Sequence, residues 1–163
     1  MYANIKDNEM QNYNAEKLEI LYKPINISFE EITLLSEYEY FKNKKLIPPS
    51  KDYWWLCSQR IRPKYVAFVS GKSGDVCDEG IYVGCTLDVR PALRIRDCYN
   101  LIPGDKIRIS GYIFTILNEK LALCDTCIGK SIFDNESDDF ETSYIKQYLY
   151  DWANHNNINF KNH

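Results

Sequence analysis

Short apolar runs separated by polar turns occupy most of the chain, a pattern that predicts β-strands joined by hairpins. "NISFEEITLLS" predicts a first strand. From "YWWLCS" to "VRPALRI", apolar runs alternate with "SGKSGD" and "DEG", which supply the glycines that tight turns need. In "GDKIRISGYIFTILNEKLALCD", apolar residues recur at period two around Gly111, and "NEK" is expected to turn the chain into a further strand. The pattern predicts antiparallel sheets.

Two segments instead have the features of a helix. Ser36 and Glu39 have the spacing of a capping box, so a short helix should follow and end before "IPPS". Near the C-terminus, "IKQYLYDW" places apolar residues at i, i+3, i+4 and i+7, ending with Trp152, and Thr142 or Ser143 can cap this helix. We therefore expect an α+β fold with two short helices.

Length and composition favour one globular domain behind a polar extension. The chain has 163 residues, of which 45% are hydrophobic, enough for one core. We predict an N-terminal extension over residues 1–24 and a single α+β domain over 25–163. Its two halves, 27–96 and 97–163, should share that core, with residues near 30 and near 150 close in space.

Charge argues against generic binding to nucleic acid or to membranes. The net charge is −3, which gives no overall attraction to phosphate. Charge is nevertheless uneven: residues 51–100 hold eight Lys/Arg and six Asp/Glu, and residues 101–163 hold six and nine. No apolar run has the length of a signal peptide or a membrane span, so we expect a cytoplasmic protein.

Candidate catalytic and metal-binding groups are few. Without an export signal, the six cysteines are expected to be reduced and mainly buried. Cys124 and Cys127 in "CDTC" have the spacing of half a zinc site or of a redox pair, but no second close pair accompanies them. The two histidines, His155 and His163, lie at or beyond the end of the last helix. We expect no cofactor, no metal and no catalytic residue.

Five carboxylates crowd "DNESDDFE", residues 134–141. This segment is interpreted as a solvated loop whose charge suits the N-terminus of the following helix. A metal site or a nucleic-acid mimic is the alternative interpretation, although the spacing does not match an EF-hand loop.

Several motifs resemble a family of bacterial domains of unknown function. "ITLLSEYEYF", "YWWLCS", "YVAFVSGKSGDV" and "VRPALRI" resemble its LLS, WWLRSP, A-x-V-x-x-x-G-x-V and VRPAL motifs, in the short, reordered form found in prophages and mobile elements. "GDKIRISGYIFTIL" and "FETSYIKQYLYDWA" resemble its other segments. Cys57 and Gln59 stand where WWLRSP has Arg and Pro. The pattern is also similar to the C-type-lectin-like fold, which the resemblance implies for this chain.

Three tryptophans and one arginine are interpreted as structural. Trp54 and Trp55 are adjacent, so on a strand they point to opposite faces. One is expected to fill the core, and the other to cover the opposite face or pack beneath the C-terminal helix; an exposed ligand platform at Trp55 is the alternative. Arg90, in "DVRPAL", should be buried and paired with Asp88, Asp105 or Asp125.

The most plausible function from the sequence is a non-enzymatic recognition module that binds a protein or a small ligand through loops between residues 59 and 88. A phage anti-defence (anti-CRISPR-like) inhibitor of a host immune nuclease is the alternative, and an enzyme of unknown type is an alternative of another class. Exposed cations and tyrosines suit contact surfaces. The candidate binding residues are Arg60, Arg62, Lys64, Tyr65, Lys72, Asp75, Asp78 and Tyr82.

Overall fold

The computed structural model describes residues 27–160, and over this range it shows ten strands and two short α-helices. The predicted extension, residues 1–24, lies outside the described residues, as does His163. Two 3-10 turns, Lys44–Leu46 and Phe140–Thr142, adjoin the helices. The helices are α1 (Glu37–Asn43) and α2 (Tyr144–His155). The strands are β1 (Ile27–Thr33), β2 (Trp54–Gln59), β3 (Tyr65–Val69), β4 (Ile81–Tyr82), β5 (Thr86–Val89), β6 (Ala92–Cys98), β7 (Lys106–Ile109), β8 (Tyr112–Asn118), β9 (Leu121–Cys124) and β10 (Gly129–Ile132).

The strands form two five-stranded sheets. Sheet A has the order β1-β6-β9-β8-β7, and sheet B has the order β10-β5-β2-β3-β4. Neighbouring strands are antiparallel in every pair but one, since β2 and β5 run parallel where Trp54 lies beside Asp88. The predicted α+β class, with mostly antiparallel sheets and two short helices, is therefore confirmed.

Local sequence signals account for several element boundaries. The β7–β8 hairpin turns at Ser110 and Gly111, with φ of 51° and 86°, which fits the turns that match strand twist. Ser36 and Glu39 form the predicted capping box, in which each side chain accepts a hydrogen bond from the other residue's backbone N–H. Ser143 caps α2 by accepting from the amide of Lys146. Both helix starts are confirmed.

The interior contains two hydrophobic clusters, and the two adjacent tryptophans belong to different ones. Trp55 lies in the larger cluster with Phe133 and the apolar face of α2, and its indole N–H donates to the carbonyl of Ser131 at 2.9 Å. Trp54 lies in the smaller cluster, edge-on to Tyr40 of α1 at 5.6 Å between ring centroids. Because sheet B is covered on both faces, period-two alternation places both side chains in a core.

The two halves of the described chain share these clusters. Side chains of both 27–96 and 97–160 contribute to each of them. β1 and most of β6 belong to the first half, and they lie in sheet A with β7, β8 and β9 of the second. α2 packs against β1, and Phe160 forms a bridge with Phe29. Residues near 30 and near 150 are therefore close, as expected from the sequence.

Candidate binding surfaces

The clearest candidate surface surrounds the loop that connects β2 to β3. A cleft of about 540 Å³ opens there, lined by Gln59, Arg60, Ile61, Arg62, Asp78 and Glu79. Lys64, Tyr65 and Tyr82 adjoin it through the same loop and through the pairing of β3 with β4. We call these nine residues the hairpin surface.

The hairpin loop is held from beneath by an ion pair and hydrogen bonds. Arg60 pairs with Glu37 at the start of α1 and donates to the carbonyl of Cys77 at 3.3 Å. Asp138 accepts from the side-chain amide of Gln59 at 3.1 Å and from the backbone N–H of Lys64 at 2.9 Å. Lys64 has a φ of +67°, which is uncommon for a residue with a side chain, and the second bond holds its amide in this conformation. The loop therefore has a defined shape.

Above these contacts, the surface presents an apolar side chain at the tip of the loop and, beside it, an arginine packed on two tyrosines. Ile61 is fully exposed, at 104% of its reference area. The guanidinium of Arg62 lies 4.2 Å from the ring centroid of Tyr65, which packs edge-on to Tyr82 at 6.4 Å. The Tyr82 hydroxyl donates to the carbonyl of Asn135 at 3.3 Å. The exposed groups are thus ordered by packing among themselves.

The acidic loop serves the architecture of this region. Asp134 accepts from the amides of Glu136, Ser137 and Tyr144. Although desolvation acts to raise the pKa of Asp134, these backbone hydrogen bonds lower it overall. Within residues 27–160, no group of three or more His, Cys, Asp or Glu side chains is arranged to hold a metal ion. The contacts of Asp134 and Asp138 favour the interpretation as a loop that supports the helix start and the hairpin.

A second cleft lies at the other end of β2 and β3, beyond the first residue of β2. It also has a volume of about 540 Å³. Since β2 has six residues, roughly 20 Å of strand separates this cleft from the hairpin loop. We call it the lysine cleft, and it is lined by Lys51, Asp52, Tyr53, Ser70, Lys72, Ser73, Thr86, Leu87 and Lys130.

The eight binding residues predicted from sequence divide between these two ends. Arg60, Arg62, Lys64, Tyr65, Asp78 and Tyr82 come together at the hairpin surface. Lys72 and Asp75 instead follow β3 at its far end, where the amide of Ser70 donates to the carbonyl of Asp75. Sequence reasoning missed Lys51, Tyr53 and Lys130, because residues from distant segments form the lysine cleft. The segment "KDY", directly before "WWL", has a lysine and a tyrosine that could have indicated a binding site.

Arg90 is fully buried, but its partners differ from those expected. Its guanidinium donates to the carbonyls of Cys124, Pro48 and Asp125 at 2.8 to 3.0 Å and lies 4.8 Å from the Trp54 ring. The expectation of a carboxylate partner is wrong: the Asp125 carboxylate binds Lys106 and Thr115 instead. Three carbonyls are bound at once through Nε and one terminal nitrogen of the guanidinium fork, while the other terminal nitrogen is buried without a hydrogen-bond partner among the described residues.

The cysteines are unpaired, and they are less buried than expected: Cys124 is buried, Cys77 is exposed and the other four are partly exposed. All six are free thiols in the structure. Burial raises the pKa of Cys57 and of Cys124 to about 11, so both are protonated at neutral pH. Burial also raises the pKa of Cys127, whose sulfur lies 3.6 Å from the Ser50 hydroxyl. The "CDTC" segment contributes the carbonyls of Cys124 and Asp125 to Arg90, which is a structural use of this motif.

No family model, curated protein or solved structure shows significant similarity to this chain. Among residues 27–160, neither helix has the length and apolar character needed to cross a bilayer.

Proposed function

We propose that this chain is a non-enzymatic recognition module that binds a protein partner through the hairpin surface. The observation that carries the proposal is Ile61, a large apolar side chain fully exposed at the tip of a loop fastened on both sides. When a partner covers an exposed apolar side chain, removal of its surface from water lowers the free energy of the complex. A loop with a defined shape also loses little conformational entropy on binding.

The surroundings of Ile61 have the composition of an interface centre. Arginine and tyrosine are enriched among residues that dominate binding energy. Arg62, next to Ile61 in sequence, lies over the ring of Tyr65, which contacts Tyr82 edge-on. Arg62 and Lys64 make no ion pair within residues 27–160. The partner is therefore expected to offer an apolar pocket for Ile61 with acidic groups facing these two cations.

The wider setting is also a proposal, supported by the motifs. The resemblance of "YWWLCS" and "VRPALRI" to the bacterial domain family, together with the antiparallel α+β fold, supports a C-type-lectin-like domain. The prophage and mobile-element form of that family supports a cytoplasmic role in a bacterial host. The anti-defence hypothesis is the case in which the partner is a host immune nuclease, bound through this same surface.

The test compares two matched substitutions of exposed isoleucines. Ile61→Asp changes the hairpin surface, and Ile102→Asp changes a different loop where the isoleucine is 66% exposed. Affinity capture from bacterial lysate with quantitative mass spectrometry should recover one partner with the wild type and with Ile102→Asp, and lose it with Ile61→Asp. Binding of the purified partner should weaken by roughly a hundredfold, as for a central interface residue.

Thermal melting of both variants serves as the folding control. Because both side chains point into solvent, neither variant should change the melting temperature appreciably. The proposal would be refuted if Ile61→Asp retained the partner, or if both variants lost it equally. If the captured partner is a nuclease, inhibition of its DNA cleavage by the wild type alone distinguishes the anti-defence case from other recognition roles.

A further inference from the structure

We propose that the lysine cleft binds a nucleoside phosphate, with the lysines and hydroxyls holding the phosphate and Tyr53 stacking on the base. The cleft lies at the other end of β2 and β3 from the hairpin surface, so the proposal does not depend on the protein partner. Its volume of about 540 Å³ falls within the roughly 300 to 1,000 Å³ of small-molecule sites.

The cations of the cleft exceed its carboxylates. Lys51, Lys72 and Lys130 line it together with one carboxylate, Asp52, and a second carboxylate, Asp88, pairs with Lys130. Lys51 and Lys72 make no ion pair within residues 27–160, so their charges are available to a ligand. Three lysines that line one cavity suit a phosphate, which lysine binds as a point charge.

Lys130 is held in position by a carboxylate behind it. Its amine lies 2.6 Å from Asp88, whose side chain is only 12% exposed, and 3.8 Å from the more exposed Asp52. The hydrogen bond to Asp88 is the main cause of a raised pKa of Lys130. A cation anchored in this way retains donors for a ligand, since an ammonium group has three.

Hydroxyl groups supply further donors on the walls. Ser70, Ser73 and Thr86 line the same cavity. Ser73 accepts from the amide of Asp75 at 3.2 Å, which leaves its proton free to donate. Neutral hydroxyl donors beside cations are typical of phosphate contacts.

The two walls touch, so the cleft exists before a ligand arrives. Gly71 approaches the segment before β2 so closely that a Cβ at this position would lie 2.3 Å from the backbone oxygen of Asp52. On the other side, the Tyr53 carbonyl accepts from the amide of Asp88 at 3.0 Å. Only glycine permits the first contact, and preformed walls reduce the entropy lost on binding.

Tyr53 offers the surface for a flat ring. It is 50% exposed in spite of its size, and its ring packs against Phe68 at 5.3 Å between centroids. The contact with Phe68 keeps the ring in place while leaving area open to the cavity. Aromatic side chains stack on nucleobases with little preference for sequence, so the site is expected to accept several bases.

The experiment titrates the protein with the four ribonucleoside 5′-monophosphates, with adenosine and with inorganic phosphate, using calorimetry at low salt. Nucleotides should bind at least about tenfold more tightly than either part alone, because only they use both contacts. Binding should weaken as salt is added. The proposal is overturned if no nucleotide binds, or if phosphate alone binds as tightly as the nucleotides do.

Two sets of variants locate the site. Lys51→Gln with Lys72→Gln should weaken nucleotide binding by roughly tenfold or more, since both unpaired cations are lost. The matched control, Lys42→Gln with Lys120→Gln, removes the same charge from exposed positions outside the cleft lining and should leave binding unchanged. Tyr53→Leu should weaken nucleotides and leave phosphate unaffected. Equal loss in both double variants, or no loss in either, would refute the proposal.

Discussion

Two arginine–aromatic pairs in this molecule have similar geometry and different surroundings. Arg90 lies 4.8 Å from the ring of Trp54, and Arg62 lies 4.2 Å from the ring of Tyr65. The first arginine is fully buried and donates to three backbone carbonyls. The second is exposed, on the hairpin surface. Both contacts place a guanidinium over an aromatic ring, and the two pairs differ in whether the arginine is buried.

Burial changes what each pair contributes. A buried guanidinium must have acceptors, because an unpaired charge away from water is costly. Arg90 therefore joins the segment before β2, the end of β9 and the loop after it, through Pro48, Cys124 and Asp125. Arg62 remains hydrated and contributes little to folding, which leaves it available to a partner. We therefore expect substitution of the arginine by alanine to destabilise the fold at Arg90 and to leave its stability nearly unchanged at Arg62.

The largest expected effect is that of Arg90→Ala. This change leaves three carbonyls without a donor and opens a cavity beside Trp54, so we expect a loss of about 3 to 5 kcal/mol in the free energy of unfolding. Urea unfolding followed by tryptophan fluorescence measures it. Arg90→Lys should recover only part of the loss, since an ammonium group lacks the planar fork. A loss under about 1 kcal/mol would contradict the structural role assigned to Arg90.

An intermediate loss of stability is expected from Glu39→Gln, which weakens the ion pair with the half-buried Arg94. Arg94 pairs with Glu39 at 2.8 Å and with Glu31 at 3.1 Å. Glu39 also closes the capping box of α1. Glu39→Gln keeps the cap acceptor but removes the charge, so we expect a loss of about 1 to 2 kcal/mol at neutral pH. The control is Glu119→Gln, because Glu119 lies in an exposed turn. Glu37→Gln is unsuitable as a control, because Glu37 pairs with Arg60.

The pH dependence of this difference has a defined sign. Burial alone would raise the pKa of Glu39, but hydrogen bonds from Arg94 and Ser36 lower it below its usual value of 4.5. The contribution of the carboxylate is therefore present above pH 4.5 and lost as pH falls through the lower folded-state pKa. The stability difference between wild type and Glu39→Gln should shrink on acidification below that value. A difference that stays constant down to acid unfolding would contradict the ion pair.

The smallest effect on folding is expected for Arg62→Ala. Because the side chain is exposed, the free energy of unfolding should change by less than about 0.5 kcal/mol. Binding to the partner captured through Ile61 should nevertheless weaken markedly, since arginine is a frequent interface anchor. The two measurements together separate stability from recognition. A loss of stability comparable with that of Arg90→Ala would show that burial does not distinguish the two pairs.

Local signals were sufficient to predict the helices and the strand-rich class. Ser36, Glu39 and Ser143 act within one turn of the chain, so their hydrogen bonds follow from sequence spacing. The apolar stripe of α2 was equally local: Ile145 and Leu149 are both fully buried. Strand pairing was less predictable, because the parallel contact of β2 with β5 joins segments that no turn connects.

In the candidate sites, too, features set by neighbouring residues could be predicted, and features set by distant segments could not. Sequence spacing alone predicts that Trp54 and Trp55 point to opposite faces and that helices begin near Ser36 and Ser143. It also shows that cations and tyrosines are frequent near residues 60–82. The burial of both tryptophans could not be predicted in this way, because it requires a helix or sheet on each face of sheet B. Folding also brings Arg90 to the carbonyls of three separate residues and places Lys51, Lys72 and Lys130 in the lining of one cleft. Capping and alternation act between neighbours in sequence, whereas burial and the lining of a cleft depend on segments that only folding brings together.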